Sequence, residues 1–181
     1  PSLAYGGAER AFTNIANGFV DRGVEVALVL AHAAGPYIDD ISPAVRIFDL
    51  KRRSVAMAIP GLLRHLREYR PDALLSAMTH ANVASAIAWR LANSSARLVL
   101  TEHTHLSSAF KEYRNASMRV IHCVMPLTYS LADHIIAVSN GVATDLKAKF
   151  HLNQEKLVVV YNPVVDTHLF HNALAPSCHP W

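Results

Sequence analysis

The chain has 181 residues, of which 51% are hydrophobic and 17% are charged. This length predicts one domain, and the balance of apolar and charged residues excludes intrinsic disorder. A formal net charge of +3 is too small to indicate a nucleic-acid partner, but it suits an anionic ligand or an anionic membrane surface. No apolar run approaches the ~18 residues that a membrane-spanning helix needs. Cys123 and Cys178 form no C-x-x-C pair, which favours a reducing, cytoplasmic compartment.

Short β-branched runs alternate with longer amphipathic stretches along the chain. In chain order, the patterns predict helix 8–22, strand 24–30, strand 45–50, helix 54–69, strand 73–77, helix 80–93, strand 97–101, helix 118–132, strand 134–139, helix 141–150 and strand 157–161. Pro60 and Gly61 mark a potential break in the second helix. The alternation predicts an α/β fold, with a Rossmann-like, doubly wound parallel sheet that binds ligands beyond the carboxyl ends of its strands.

The two ends of the sequence suggest a piece of a larger fold. Residues 1–5 resemble a strand-to-helix loop without its strand, although a doubly wound sheet usually begins with a central strand. Residues 167–181 are rich in proline and are expected to form an interdomain linker. We therefore expect a domain over residues 1–166 that is truncated at both ends.

Two glycines, Gly6 and Gly7, lie directly before the first predicted helix, in the segment Tyr5-Gly6-Gly7-Ala8-Glu9-Arg10. Glycine lets the backbone approach a ligand closely, and the free N–H groups of a helix N-terminus attract anions. A phosphate or diphosphate is the expected guest, and a plain tight turn is the alternative. The spacing is not G-x-G-x-x-G, so the dinucleotide fingerprint is absent.

Histidines follow the strand 97–101, at the edge where ligands are expected. If that strand continues, alternation places His103 and His105 on one face. A histidine there can hold a sugar hydroxyl or move a proton, and a surface pair in a polar loop is the alternative. A metal site is not expected, because His-x-His supplies two ligands without a clear third. The His168-x-x-His171 pair lies in the expected linker.

The stretch 51–70 combines basic residues with an apolar stripe. A basic amphipathic helix can lie on the inner, cytoplasmic face of an anionic membrane. Arg64 and Arg67 are the candidate membrane-facing residues of this helix. The alternative is an ordinary helix with a solvated basic face. Further along, Ser139 ends a strand just before a helix and is predicted to cap that helix, with ligand contact as a second role.

Together these segments resemble the N-terminal, acceptor-side domain of GT-B-type retaining glycosyltransferases of family 4. The resemblance runs in family order through residues 6–10, 14–18, 22–26, 101–104, 132–133, 137–142 and 161–166. The ending His179-Pro180-Trp181 resembles the interdomain linker of the family. The resemblance implies two Rossmann-like domains facing a cleft, of which the C-terminal one binds most of the nucleotide-sugar donor and is absent from this sequence.

The resemblance also implies roles for individual residues. Gly6 and Gly7 match the glycine loop that approaches the donor diphosphate, and His103 matches the histidine near the transferred sugar, which makes it the candidate catalytic residue. His105 has no firm counterpart. The candidate secondary ligand contacts are Glu102, His105, Ser139 and Asn162.

The implied enzyme moves a hexosyl group from a nucleotide sugar to a sugar or lipid-linked acceptor with retained configuration. Its expected role is the synthesis of a glycan, a glycolipid or a cell-envelope polysaccharide. No cofactor, metal or nucleic acid is expected, because basic groups and helix N-termini can neutralise the departing diphosphate. The fragment alone is expected to be inactive. Two alternatives remain: a sugar-nucleotide epimerase on the same scaffold, and a non-catalytic phosphate-binding module that uses Gly6 and Gly7 without His103.

Overall fold

The computed structural model describes residues 3, 6–112, 116–150 and 154–163. Helices and strands alternate along it, in the order α1 (Gly7–Val20), β1 (Ala27–Leu30), β2 (Arg46–Asp49), α2 (Val55–Tyr69), β3 (Ala73–Ala77), α3 (Thr79–Ala92), β4 (Arg97–Glu102), α4 (Leu106–Glu112), α5 (Ala116–Ser130), β5 (His134–Ala137), α6 (Asn140–Phe150) and β6 (Leu157–Val159). Short 3-10 turns occupy Pro36–Ile38 and Gln154–Lys156. Within these described segments, no helix is both long and apolar enough to cross a membrane.

The elements predicted from the sequence are present, with boundaries shifted by a few residues. Pro60 lies inside α2 without splitting it, because the helix is held by the face that packs on α3. The structure adds α4, a short helix in the polar segment after β4 that the sequence did not predict. The expected tail at 167–181 lies outside the described residues, as do His168, His171 and Cys178.

The strands form two parallel sheets, which confirms the α/β, Rossmann-like class but divides the expected sheet into two parts. One sheet has the order β1-β2 and the other the order β3-β4-β5-β6. In the larger sheet, Leu75 pairs with Val99, Thr101 with Ile136, and Ile136 with Val158. An apolar cavity of about 630 Å³ lies between β1 and β3, lined by Leu28, Leu30, Leu75 and Ala77 among others. We call this cavity the inter-sheet slot.

The hydrophobic core has a cluster against each sheet. The larger cluster packs Leu98 and Leu100 of β4 and Ile135 of β5 against Met125 and Tyr129 of α5. The smaller cluster surrounds β1 and consists of Leu3, Ala16, Leu30, Ile41 and Val45. The Leu3 N–H donates to the Ala34 carbonyl at 2.8 Å, so the chain at residue 3 lies just beyond the carboxyl end of β1.

The carboxyl ends of β3, β4 and β5 are tied together along the carboxyl edge of the larger sheet. The Met78 N–H donates to the Thr101 carbonyl at 3.3 Å, and the Val138 N–H donates to the Glu102 carbonyl at 3.1 Å. At this edge the Asn14 side chain of α1 donates to the Pro163 carbonyl at 2.8 Å. The ends of β3, β4 and β5, helix α1 and the segment after β6 therefore converge where ligands bind in folds of this type.

Candidate functional site

His103 lies directly after β4 and is half-buried between α1 and the segment after β6. Its Nε2 is 3.2 Å from the Thr101 hydroxyl, and its Nδ1 is 3.3 Å from the Asn162 side-chain amide nitrogen. Its ring also packs at a tilt against Phe12, with 6.1 Å between ring centroids. The structure thus brings together two predicted site residues, His103 and Asn162, which are far apart in the sequence.

These partners assign the protonation state of His103. The Asn162 amide nitrogen can only donate, so Nδ1 accepts; the Thr101 hydroxyl donates to the Ser76 carbonyl at 2.9 Å, so it accepts from Nε2–H. Burial lowers the pKa of His103, and the negative charge of Glu9 opposes this shift in part. The imidazole is therefore a neutral group whose Nδ1 faces Asn162 and whose Nε2 faces the strand end.

Glu102 takes a different position from the one expected for a ligand contact. Its side chain is 0% exposed and lies among the side chains of Thr79, Asn82 and Tyr129. The Thr79 hydroxyl donates to its Oε2 at 3.2 Å, the Asn82 amide donates to its Oε1 at 3.0 Å, and the Tyr129 hydroxyl donates to the same Oε1. Direct contact between Glu102 and a ligand is excluded in this conformation.

The buried carboxyl group of Glu102 has an altered acidity. Burial raises the pKa of Glu102 to about 7, although hydrogen bonds from Tyr129, Asn82 and Thr79 act in the opposite direction. The Tyr129 pKa is raised well above its ordinary value by burial and by the adjacent carboxylate. Thr79, Asn82 and Tyr129 were not singled out from the sequence, since they join Glu102 only through the fold.

The two glycines have different surroundings at the start of α1. Gly6 caps the helix in an extended conformation, and a Cβ there would overlap the Glu9 carboxylate, which folds back over it. Gly7 is the first helical residue and is exposed, and no described atom lies within 4 Å of where its Cβ would be. The close approach among the described residues is therefore at Gly6, and none of them restricts a side chain at Gly7.

His105 does not join His103, because β4 ends at Glu102 and the alternation that would align them stops there. Instead, His105 Nδ1 lies 3.6 Å from Asp145 Oδ2, and the Ser107 N–H donates to the same carboxylate at 2.9 Å. Burial alone would raise the pKa of Asp145, but the hydrogen bonds from Ser107 and the charge of His105 hold it below its ordinary value. This cluster fixes α4 on α6 and is a structural contact.

Ser139 caps α6, as predicted. Its hydroxyl accepts from the Val142 N–H at 3.2 Å, and the neighbouring Asn140 amide donates to the Tyr161 hydroxyl at 3.3 Å. Both contacts lie at the carboxyl edge of the sheet, where β5 and β6 end. Ser139 therefore has the expected capping role, and its hydroxyl is engaged.

The basic helix α2 presents its apolar stripe to the protein. Leu66 is buried, Leu62 and Leu63 are partly buried, and α2 packs along α3. Arg64 is exposed, whereas Arg67, also exposed, donates to the Leu91 carbonyl at 2.9 Å and so closes the end of α3. The stripe is therefore not available to insert into a membrane.

No group of three or more His, Cys, Asp and Glu side chains that could hold a metal occurs among the residues for which the structure gives positions. The site is instead an imidazole and an amide set at the carboxyl edge of a parallel sheet, next to a helix N-terminus. This arrangement defines a Rossmann-like domain that can hold a polar ligand and an anion at one edge.

The sequence matches the family described as Glycosyltransferase Family 4 over residues 5–168, and the chain belongs to that family. Two solved structures share the fold. The crystal structure of Anabaena Alr3699/HepE in complex with UDP and glucose has 21% sequence identity and a TM-score of 0.65, over 87% of this chain and 41% of that chain. The same protein in complex with UDP-glucose has 22% identity and a TM-score of 0.63, over 87% of this chain and 40% of that chain. Among curated proteins, none matches the sequence. The chain thus spans about two fifths of the length of these structures.

Proposed function

We propose that this chain is the acceptor-side half of an enzyme that moves a hexosyl group from a nucleotide sugar to an acceptor with retained anomeric configuration. The observation that carries the proposal is the neutral imidazole of His103 at the carboxyl edge of the larger sheet, in a chain of family 4. The presence of UDP and UDP-glucose in the structures of Anabaena HepE supports a nucleotide-sugar donor.

His103 is proposed to hold the transferred sugar. A sugar hydroxyl takes the place of the Asn162 amide and donates to Nδ1, while Nε2–H remains on the Thr101 hydroxyl. The lowered pKa of His103 keeps Nδ1 available as an acceptor near neutral pH. Because the imidazole is fixed on its other side, it aligns the sugar ring while positive charge grows there and the diphosphate leaves. No protein nucleophile is required in this scheme.

The N-terminus of α1 is proposed to face the donor diphosphate. The first N–H groups of a helix have no partners within the helix, and they favour an anion. The exposed position of Gly7 leaves room for a phosphate, whereas the Glu9 carboxylate beside Gly6 must turn away as the phosphate approaches. Because these backbone dipoles and basic groups of the other half balance the leaving charge, a metal is not required.

Two further segments complete the proposed protein. Residues 167–181 are proposed to be the linker to a donor-binding domain, and the inter-sheet slot is proposed to hold one further parallel strand that leads into residue 3. Leu3 supports this occupant, because its hydrogen bond to Ala34 brings the chain to the carboxyl end of β1, where a strand parallel to β1 would end. Such a strand would pair with both β1 and β3 and remove two open edges.

The acceptor is proposed to be a sugar or a lipid-linked sugar of a glycan, glycolipid or cell-envelope pathway, reached from the cytoplasmic face of a membrane. The exposed side chain of Arg64 supports an electrostatic attachment to anionic lipid. Since the apolar stripe of α2 is turned inward, this attachment rests on charge alone.

The test is turnover by the full-length protein on a panel of nucleotide sugars, with release of the nucleoside diphosphate measured with and without sugar and lipid-linked acceptors. We expect acceptor-dependent release of the nucleoside diphosphate for at least one donor. The anomeric configuration of the transferred sugar, determined by NMR, should be the same in the product as in the donor. Residues 1–181 alone should show no turnover. Interconversion of two nucleotide sugars without transfer would indicate an epimerase. Donor binding without any turnover would indicate a binding module.

A further inference from the structure

The buried acid at the end of β4 is a costly feature of the site. Glu102 is 0% exposed, and its three hydrogen-bond partners, Thr79, Asn82 and Tyr129, are all uncharged. An ionisable group in an apolar core loses its hydration, which hydrogen bonds only partly replace. A well-packed apolar side chain would serve folding at least as well at this position.

Two more unfavourable features lie at the same place. Within the described part of the chain, the Asn82 Oδ1 is buried without a hydrogen-bond partner, which leaves a polar atom desolvated. Met78, the residue between β3 and α3, has φ 71° and ψ 137°, a backbone conformation that residues other than glycine rarely adopt. Strain of this kind persists only where the surroundings enforce it, and it is common at functional sites.

The network around Glu102 joins the elements that carry this strain to the element that carries His103. Thr79 and Asn82 belong to the first turn of α3, directly after Met78, and Tyr129 belongs to α5. The Asn82 amide also donates to the Thr101 carbonyl at 2.8 Å. The end of β4 is thus held from two helices, with His103 as the next residue along the chain.

We propose that Glu102 is a positioning residue: its buried carboxyl group locks the end of β4 to α3 and α5 and thereby fixes the His103 imidazole in the site. The catalytic part of this proposal rests on the proposed function, but the fixing of His103 does not.

The path from Glu102 to His103 is short and rigid. His103 Nε2 contacts the Thr101 hydroxyl, which is itself bonded to the Ser76 carbonyl, so the ring orientation follows the position of the β4 end. A displacement of about 1 Å in a positioned group can reduce a rate ~10²-fold. Loss of the lock therefore lowers turnover without removing any group that contacts the ligand.

Three variants of the full-length protein separate positioning from stability. Glu102→Gln keeps every partner, because its amide oxygen accepts from Tyr129 and Asn82 and its nitrogen donates to the Thr79 hydroxyl. Glu102→Met removes all three contacts at similar volume, and Thr79→Val removes only one, in case the methionine variant does not fold. Ile41→Ala is the stability control, since Ile41 is buried in the smaller core cluster, which contains none of the hydrogen-bond partners of Glu102.

Two measurements are made on each variant: kcat and KM with the donor found for the parent protein, and the pKa of His103 from imidazole NMR, assigned by its absence in His103→Ala. We expect Glu102→Met to lose about 10-fold or more in kcat at little change in KM, with the His103 pKa rising towards its ordinary value as the ring becomes solvated. Thr79→Val should lower kcat and raise the His103 pKa by smaller amounts. Glu102→Gln should match the parent, and Ile41→Ala should change only the melting temperature.

The proposal is overturned if Glu102→Met and Thr79→Val leave the His103 pKa and kcat at parental values. It is also overturned if Ile41→Ala reduces kcat as much as they do, since the effect would then reflect stability. If the parent transfers no sugar at all, the proposed function fails, while the His103 titration still decides the positioning of His103.

Discussion

The acidity of Glu102 makes the stability of the domain depend on pH in a direction unusual for a carboxylic acid. Its pKa is raised from an ordinary value of 4.5 to about 7 in the folded protein, first of all by burial. The folded state therefore holds a proton that the unfolded state releases between about pH 4.5 and 7. The stability that comes from this proton is present in full below about pH 4.5 and is lost as the pH rises through about 7.

The size of this effect follows from the shift. A difference of roughly 2.5 pKa units, at about 1.4 kcal/mol per unit, corresponds to about 3–4 kcal/mol. Glu102→Gln removes the ionisation and keeps the hydrogen bonds, so it should equal the parent near pH 4.5 and exceed it by up to about 3 kcal/mol at pH ~8. His65 and His103 have pKa values lowered by burial and change stability in the opposite direction, but they are common to both proteins and cancel in the comparison.

The assay is urea denaturation of parent and Glu102→Gln across this pH range, with the difference in free energy of unfolding plotted against pH. Tyr129→Phe serves as a control, because it removes one donor to the carboxyl group but leaves the ionisation in place. Parallel curves for the parent and Glu102→Gln at every pH would refute the reasoning. They would mean that Glu102 titrates alike in the folded and unfolded states.

Three other outcomes are expected. Gly7→Val should raise the KM for the donor and leave the melting temperature unchanged, because no described atom lies near the position of the new Cβ. Gly18→Val on the same helix is the control and should leave KM unchanged. A normal KM for Gly7→Val would exclude the phosphate role of this position. Arg64→Glu should reduce co-sedimentation with anionic vesicles at low salt, since each cation near such a surface contributes ~1 kcal/mol; equal sedimentation of the variant and the parent would exclude the membrane role of α2. An apolar segment of five or six residues joined ahead of Pro1 should fill the inter-sheet slot as a strand and raise the melting temperature of residues 1–181. An extension of the same length with lysine at every second position is the control. Equal melting temperatures for both extensions would contradict the proposed occupant of the slot.

Periodicity was enough to predict most of the fold. The runs at 73–77 and 97–101 are short and rich in leucine, so their pattern favours a strand over a helix, and both strands were confirmed. Helix α4 was not predicted, because its seven residues are too few to establish a helical period. The inter-sheet slot was foreseen only as an absent strand, since its shape depends on how two separate sheets pack.

The site could be predicted only where chemistry and position coincide in the sequence. His103 was found because it follows a strand, and Asn162 because it follows another; that they meet depends on the parallel order of the strands. Glu102 was assigned to the ligand, but its side chain turns inward to Asn82 and Tyr129, which are 20 and 27 positions away in the chain. Contacts over such separations leave no local pattern.

The most direct test of the central claim, that His103 holds the transferred sugar, is kcat of full-length His103→Ala beside its melting curve. Loss of the two long hydrogen bonds to Thr101 and Asn162 should change stability by about 1 kcal/mol or less each, because both partners keep other contacts or water. Loss of a positioned group should lower kcat ~10²-fold or more, whereas His105→Ala, whose ring lies beside Asp145 of α6, should stay near the parent. Parental kcat for His103→Ala, or activity lost only in step with unfolding, would contradict the account.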